Sequence, residues 1–574
     1  MSLRLRLGIR LDIETDTPES HSGPAVRQRF RPPAWLAFST AMLLWLGVIA
    51  ALVLSIDYFV GVDAYFHYQV ASEMLVRGLA FDSFPYASES IWLEHYFDKE
   101  WLFHAFLTPF VAAGGADGAK WAILVCNAAL VAALWYTLRA LDLPRPFWWV
   151  LALPLANSGL IWLRISLLRP HLFAAPLFLL AIAAVARRRH GLMLLVGALY
   201  SLGHTAHWQL PGMILAYDVL YTIFDRDGQR RESLKRAMPM VVPATVGILI
   251  ATCLHPHFPN NLHGLYVQNV LVLQTYWQAA DILEAVKPSE LLPMGSTIFV
   301  ACFPIFLGVG LAIARICRGR FVYSRIIMML TIYAGGYGVL TYKSTRFIDY
   351  FVPSAILLLA CWFHANPIRE TLRWKYGRMV IVGMLTTYLL GLGSGQTALG
   401  LTLIWALLEL RTSQLRQRFP AFAFGLFMLC FSFFGLRSQL IERVESNIGD
   451  TRRTHPHAGA AAAIREHVPE NGIVVTSNWP ETPSLWFGAP KHRYLVFLDP
   501  IFFYLHDPKK FRLWHEMRIG MAIDPVGILT QELKASAVVT SQEGSVSFAN
   551  QLARDPRARQ VYQKDDVRVF VLQD

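Results

Sequence analysis

Residues 35–67 read WLAFSTAMLLWLGVIAALVLSIDYFVGVDAYFH, an apolar run over 35–57 that is closely followed by Asp63. About 20 apolar residues are enough for a helix to cross the hydrocarbon core of a bilayer. Arginines crowd the tail before this run, and the run has no small-residue cleavage site, which indicates a retained anchor. Because basic residues concentrate on the cytoplasmic side, we predict that the tail, residues 1–34, lies in the cytoplasm.

The rest of the chain repeats this pattern. Of its 574 residues, 55% are hydrophobic and 16% are charged, which is too apolar for an ordinary soluble globule. We predict a polytopic α-helical membrane protein of about 13 transmembrane helices, some of them short enough to merge or break. The net charge of +12 is divided among short clusters, which argues against a nucleic-acid partner. The predicted spans are 35–57, 121–138, 147–163, 171–186, 191–203, 209–224, 237–254, 295–314, 326–341, 350–364, 379–393, 397–410 and 420–436.

Basic residues cluster in every second loop between these runs, and under the positive-inside rule those loops share the cytoplasm with the N-terminus. We therefore predict a transmembrane domain over 35–439 with a large first outer loop, 58–120, and an extracytoplasmic domain over 440–574. A bacterial inner membrane, with the C-terminal domain in the periplasm, fits this sidedness. The other predicted outer loops are 164–170, 204–208, 255–294 and 342–349.

The tail beyond the last run has the pattern of a small soluble α/β domain. A helical stretch is followed by short apolar runs that are typical of strands. The predicted helix is Ala460 to Val468, and the predicted strands are Ile473 to Ser477, Tyr494 to Phe497 and Val567 to Leu572.

The first outer loop is rich in acids and aromatic residues. Phe66, Val70 and Met74 recur at helical spacing, and a second apolar stripe runs from Leu102 to Phe110. This predicts two helices lying along the membrane surface. A solvated loop with interfacial aromatic residues is the plainer alternative.

Two acids of this loop are candidate catalytic residues. Asp63 lies just beyond the first span, so its carboxylate is held near the bilayer surface. There it can take a proton from an acceptor, or hold Mg²⁺ or Mn²⁺ against phosphate oxygens. Asp98, beside Lys99, can supply a second carboxylate. The sequence requires no cofactor, so a divalent cation stays an open alternative with Asp63 as its ligand.

Basic residues also occur in the outer loops, against the positive-inside trend. Arg164 and Arg169 lie in one short loop, and Lys343 and Arg346 lie in another. Charge at that depth is costly unless it is paired, and arginine forks suit phosphate oxygens. We predict that these four residues and Lys99 bind a donor phosphate. The alternative is that the arginines reach the interface or helix-end carbonyls.

Further polar residues are predicted to contact a substrate or acceptor. Histidine pairs with HxxH or HxH spacing lie at two span ends, but neither has a third ligand, so hydrogen bonding or packing is favoured over zinc. The loop 255–294 also has the pattern of a movable amphipathic flap. The predicted substrate residues are His67, His204, His207, His255, His257, Trp479 and Asp499.

The combination resembles the GT-C class of integral membrane glycosyltransferases, which includes oligosaccharyltransferases, protein O-mannosyltransferases and aminoarabinose transferases. Two segments are similar to the first outer loop of that class: Asp63-Ala64-Tyr65-Phe66-His67 after the first span, and Asp98-Lys99-Glu100-Trp101-Leu102 ahead of the next one. The resemblance implies sugar transfer from a polyprenyl phosphate or diphosphate donor to an acceptor outside the cytoplasm, usually with inversion. It makes Asp63 the base or metal-holding carboxylate.

Thirteen spans with an outer C-terminal α/β domain look most like the oligosaccharyltransferase branch of this class, but two motifs of that branch are missing. Where that branch has Trp-Trp-Asp, this chain has Asn478-Trp479-Pro480-Glu481, and the loop 164–170 has no carboxylate. The acceptor therefore stays open among protein, lipid and glycan, and metal use stays open too. The alternative function is a transporter or flippase for a lipid-linked or anionic substrate, although no inverted repeat is visible.

Overall fold

The structure is a computed structural model, and it describes residues 33–155, 160–224, 230–283, 286, 288–317, 325–365 and 457–573. The chain is helical up to residue 365 and has a small sheet near its C-terminus, as predicted. Four of the described helical runs are long and apolar enough to cross a membrane: Ala34–Val53, Trp101–Ala140, Pro170–Arg187 and Thr345–Ala365. Shorter apolar helices occur at His190–Gly203, Pro239–Leu254 and Ile305–Ala314.

The number of spans stays a prediction, because the runs 379–393, 397–410 and 420–436 lie outside the described residues, as does nearly all of the tail 1–34. The helices before residue 366 are α1 (Ala34–Val53), α2 (Asp63–Arg77), α3 (Trp101–Ala140), α4 (Pro146–Leu155), α5 (Leu160–Ser166), α6 (Pro170–Arg187), α7 (His190–Gly203), α8 (Gln209–Phe224), α9 (Arg230–Leu254), α10 (Asn260–Tyr266), α11 (Val272–Gln278), α12 (Ala280–Leu283), α13 (Ser296–Cys317), α14 (Arg325–Lys343) and α15 (Ile348–Ala365). A π turn, Val267–Leu271, joins α10 to α11.

The first outer loop differs from its prediction in one respect. The predicted second surface helix and the predicted span 121–138 form one element, α3, which bends at Gly114 and Gly115. Gly115 has φ +57°, a conformation that side chains with a Cβ rarely adopt, so a glycine pair can turn the helix here. The predicted surface helix is thereby continuous with a helical run that is long and apolar enough to cross a membrane.

Polar contacts and small residues hold the helices of the bundle together. The Asn127 side chain of α3 accepts a hydrogen bond from Trp45 Nε1 of α1 at 3.0 Å and donates one to the Ile165 carbonyl of α5 at 2.9 Å. Helices α7 and α9 approach so closely that a Cβ at Gly197 or Gly247 would overlap the backbone of the other helix. Such contacts are typical of helices that pack within lipid.

The C-terminal domain is built around a five-stranded sheet. Its strands are β1 (Ile473–Thr476), β2 (Arg493–Tyr494), β3 (Ala535–Thr540), β4 (Ala558–Lys564) and β5 (Val567–Leu572), in the order β2-β1-β3-β5-β4. Strand β1 is parallel to β2 and β3, and β5 is antiparallel to β3 and β4. The main helices are α16 (Ala458–His467), α17 (Thr482–Gly488), α18 (Ile501–His506), α19 (Pro508–Arg518) and α20 (Gln542–Arg554). The predicted helix and the predicted strands at β1 and β5 are present. Of the predicted strand Tyr494 to Phe497 only Tyr494 lies in a strand, β2, and β3 and β4 were not predicted.

The C-terminal domain packs against the first outer loop. The Tyr494 N–H donates to the Tyr86 carbonyl at 2.7 Å, and the Ser88 N–H donates to the Tyr494 carbonyl at 2.8 Å. The fully buried Trp486 of α17 contacts the rings of Phe66 and Phe84 from the loop. Helix α2 is therefore held between α3 and the C-terminal domain, which fixes the polar residues at its start.

Candidate active site

Asp63, the first residue of α2, forms an ion pair with Arg169, which immediately precedes α6. Arg169 Nη2 lies 2.7 Å from Asp63 Oδ2, and both side chains are about one-fifth exposed. The same guanidinium donates two hydrogen bonds to Glu290, from Nη1 to Oε2 at 3.0 Å and from Nη2 to Oε1 at 3.1 Å. Arg169 thus joins the first outer loop to the loop that precedes α13.

Arg164 precedes Arg169 in the chain and extends this network. Its side chain is more deeply buried than that of Arg169. Its Nε donates to Asp349 Oδ1 at 2.9 Å, its Nη2 bonds Asp349 Oδ2, and its Nη1 reaches Glu290 Oε2 at 3.1 Å. Asp349 lies in the first turn of α15. We call these five residues, Asp63, Arg164, Arg169, Glu290 and Asp349, the arginine and carboxylate network.

The network is electrostatically incomplete without a third cation. Burial raises the pKa of the Glu290 carboxyl, but Arg169, Arg346 and Arg164 outweigh it and hold that pKa well below its usual value. Three carboxylates face two arginines within the network, so Arg346 supplies the balancing charge. Arg346 is partly exposed and makes no hydrogen bond or ion pair with any described residue, which leaves its guanidinium open to an anion.

A chain of hydrogen bonds lies beside the network. Asp98 Oδ2 is 2.7 Å from His104 Nδ1, and His104 Nε2 is 2.8 Å from His67 Nδ1. All three residues are buried. His67 belongs to α2, one turn after Asp63, so the helix brings the two sites together. We call Asp98, His104 and His67 the histidine chain.

Two of the predicted histidines support Asp98. His257 Nδ1 accepts the Asp98 N–H at 2.9 Å, and His255 Nε2 donates to the Asp98 carbonyl at 3.1 Å. Burial lowers the pKa of both histidines, to about 4 for His255, so both are neutral at physiological pH. Burial raises the pKa of the Asp98 carboxyl, but His104 and the Glu100 N–H outweigh burial. The pKa is lowered overall, so the carboxyl is ionised.

Three cations act on residues in and beside these two groups. The charges of Arg169 and Lys99 both act on His67, where they add to burial and to His104 in lowering its pKa. The pKa of His204 is lowered first by burial and then by Arg346, with Lys99 contributing as well. Lys99 has only a long contact to Glu100, 3.7 Å from Nζ to Oε1. Lys99, Arg169 and Arg346 therefore act on common neighbours.

The remaining predicted residues lie at the edge of this region or outside it. His207 Nδ1 bonds the His204 carbonyl at 3.2 Å, and Trp479 Nε1 donates to the Val286 carbonyl at 3.1 Å. Asp499 accepts from Tyr276 at 3.0 Å, and burial raises the pKa of its carboxyl. Lys343 is exposed at the end of α14, and among the described residues it makes no contact with the network.

The described residues do not offer an oxygen-rich cation site here. Asp63 is engaged by Arg169, and the only described group of three close ligands is His67, Glu100 and His104, whose ligand atoms lie within 4.8 Å of one another. Both nitrogens of His104 are occupied, by Asp98 and by His67. Because Mg²⁺ and Mn²⁺ prefer oxygen ligands, the predicted cation gains no support and stays a prediction.

Three residues of the site were not among the predicted ones. Glu290 stands in the long outer loop with no local motif, and Asp349 stands at the start of a span. His104 falls within the second apolar stripe, where a histidine usually packs. Glu290 and Asp349 pair with arginines that are distant in sequence, so only the pairing of loops could have revealed them. Asp98 is close to His104 in sequence, but the partner on the other side of the ring, His67, lies on another helix.

Comparison with known proteins supports the fold. No protein-family model matches the chain, and no curated protein matches it. Among solved structures it is similar to ArnT from Cupriavidus metallidurans in the apo state, with TM-score 0.53 and 15% identity over 94% of this chain and 98% of that one. It is equally similar to ArnT bound to undecaprenyl phosphate, with TM-score 0.53 and 16% identity over 93% and 98% of the two chains. ArnT is an aminoarabinose transferase with the GT-C fold, so the predicted resemblance is confirmed for the fold.

Proposed function

We propose that this membrane protein, which shares the fold of ArnT, is a glycosyltransferase that moves a sugar from a polyprenyl-phosphate-linked donor to an acceptor. The observation that carries the proposal is that Lys99, Arg169 and Arg346 act in pairs on the same neighbours, which are His67, His204 and Glu290. One of the similar ArnT structures is bound to undecaprenyl phosphate, which supports a lipid phosphate as the ligand of these cations. The reaction would occur at the outer face of a bacterial inner membrane, with inversion at the sugar.

The cations suit the departing phosphate. As the bond between the anomeric carbon and phosphate oxygen breaks, negative charge builds on that oxygen, and nearby fixed cations stabilise it. Arg169 is oriented by Asp63 and Glu290, whereas Arg346 and Lys99 have no strong partner among the described residues. Arg169 is therefore already oriented, and Arg346 and Lys99 are free to turn toward a phosphate. These three cations would bind a phosphate without rearrangement of Arg169.

Asp63 acts in this proposal as a positioning residue rather than as the base. Asp63 Oδ2 lies 2.7 Å from Arg169 Nη2, so this oxygen is already engaged in an ion pair. It holds Arg169 in the orientation that faces the donor. The three cations also fit a transporter of an anionic lipid. The decisive question is therefore whether the bond between the sugar and the donor phosphate is broken.

Purified protein in nanodiscs is expected to release free undecaprenyl phosphate from undecaprenyl-phosphate-linked sugars. We expect Asp63→Asn to lower the rate about 100-fold, because Arg169 loses the partner that aims it. The measurement is chromatographic separation of released lipid phosphate over a panel of aminoarabinose, glucose, mannose and galactose donors.

The matched control is Asp142→Asn, which breaks an exposed aspartate and arginine pair with Arg187. This variant is expected to retain wild-type turnover. Lipid transport across liposomes by the wild type without any bond cleavage would replace the enzyme with a transporter. Equal turnover by wild type and Asp63→Asn would remove Asp63 from its positioning role.

A further inference from the structure

The histidine chain fixes the positions of its own protons. The Asp98 carboxylate is ionised, and its Oδ2 can only accept, so His104 Nδ1 carries the proton of that bond. In a neutral His104 the Nε2 atom is then the acceptor, and His67 Nδ1 donates to it across 2.8 Å. His67 Nε2 is left with a lone pair, and it makes no hydrogen bond to any described residue.

We propose that His67 Nε2 is a general base, oriented through His104 by Asp98, and that the acceptor is therefore a neutral hydroxyl group. This inference rests on the proposed glycosyltransferase function and specifies the acceptor class within it. An anionic acceptor such as a phosphate needs no proton removed before it attacks, whereas an alcohol does. A buried aspartate and two histidines in series are suited to accept and hold that proton.

The reaction balances with the groups present. The acceptor oxygen attacks the anomeric carbon, and the bond from that carbon to the donor phosphate oxygen breaks with its electron pair. The hydroxyl proton passes to His67 Nε2, and the imidazolium is stabilised through His104 by the Asp98 carboxylate. Arg169 and Lys99 stabilise the phosphate that leaves. No oxidant, reductant or metal is consumed.

The surroundings of His67 link base strength to donor binding. The ionisable groups around it are Asp63 on its own helix, His104 on α3, His171 on α6, and the loop residues Asp98, Lys99, Glu100 and Arg169. Burial, His104, Arg169, Lys99 and His171 all lower its pKa, so it is unprotonated before donor binds. A donor phosphate beside Arg169 and Lys99 would offset these two charges and raise that pKa. The base would therefore be strongest when the donor is in place.

The test compares two nucleophiles that differ in their need for a base. Glycerol must lose a proton when it attacks the donor sugar. Azide is already an anion and does not need to lose one. The probe is the undecaprenyl-phosphate-linked sugar that wild type cleaves, given to wild type and His67→Gln with either nucleophile. Glutamine can still donate to His104 but cannot accept a proton. We expect His67→Gln to lower glycerol transfer at least about 100-fold and azide transfer by no more than about threefold.

Two further variants sharpen the outcome. Asp98→Asn should lower glycerol transfer about 10-fold or more, and azide transfer far less, because it removes the charge that stabilises the imidazolium. His364→Gln replaces an exposed histidine at the opposite end of α15 from Asp349, about 22 Å along the helix, and should leave both reactions unchanged.

An equal loss of glycerol and azide transfer in His67→Gln would assign His67 to packing or positioning and overturn the proposal. Unchanged glycerol transfer would overturn it as well. Failure of wild type to cleave any donor with either nucleophile is a different result, because it removes the glycosyltransferase function on which the proposal rests.

Discussion

Replacing Arg169 with methionine is expected to lower donor cleavage by about 10³-fold. The change removes the cation that Asp63 and Glu290 orient, and it leaves both carboxylates next to an anionic phosphate. Loss of attraction and gain of repulsion act in the same direction, so this variant should be the least active of the single substitutions considered. The measurement is kcat/KM for release of undecaprenyl phosphate from the cleaved donor in nanodiscs.

Two controls separate charge from geometry at this position. Arg169→Lys retains the charge, but one ammonium cannot make the two parallel bonds to Glu290 together with the pair to Asp63, so a smaller loss is expected. Arg187→Met removes an arginine from an exposed pair with Asp142 and should retain full activity. Arg169→Met activity within about 10-fold of wild type would exclude Arg169 from the phosphate site.

Replacing Arg164 with methionine is expected to lower the free energy of unfolding by about 3–5 kcal/mol. Arg164 is almost fully buried, and its removal leaves Asp349 with an uncompensated charge and takes one hydrogen bond from Glu290. The measurement is the unfolding midpoint of the purified protein in one detergent, compared with Arg187→Met. That surface variant should cost less than about 1 kcal/mol.

A double variant shows whether charge causes this loss. Arg164→Met combined with Asp349→Leu removes both ends of the buried pair, while Glu290 retains Arg169. Replacement of a buried pair by apolar residues is often close to neutral, so the double variant should recover most of the lost stability. A double variant as unstable as Arg164→Met alone would assign the loss to packing.

Loop charge predicted which segments share one side of the membrane. Asp63, Arg164, Arg169 and the segment that begins at Lys343 were predicted to share one side, and the structure joins the loops that carry them. A charge pattern gives the side of a residue but not its partner. Asp63 was therefore predicted as a base or a metal-holding carboxylate, and its pairing with Arg169 is visible only once α2 and the start of α6 are adjacent.

Other features escaped prediction because their local signals point elsewhere. His104 lies in an apolar stripe, where a histidine usually packs, and its carboxylate partner Asp98 stands just before the start of α3. Strand β3 is a short apolar run that resembles a piece of buried helix, and β4 is an edge strand with mostly exposed or partly exposed residues. The sheet order that joins them comes from long-range pairing.

The contact of the C-terminal domain with α2 limits how this protein can be re-engineered. Trp486 and Tyr494 bind the segment that carries Tyr86 and Ser88, and that segment leads directly to Asp98. A chimera that received the terminal domain of another enzyme would lose these complementary surfaces and loosen the helix that bears Asp63 and His67. Residues 81–97 and 473–506 should therefore be exchanged together, as a single cassette, when the specificity of such an enzyme is redesigned.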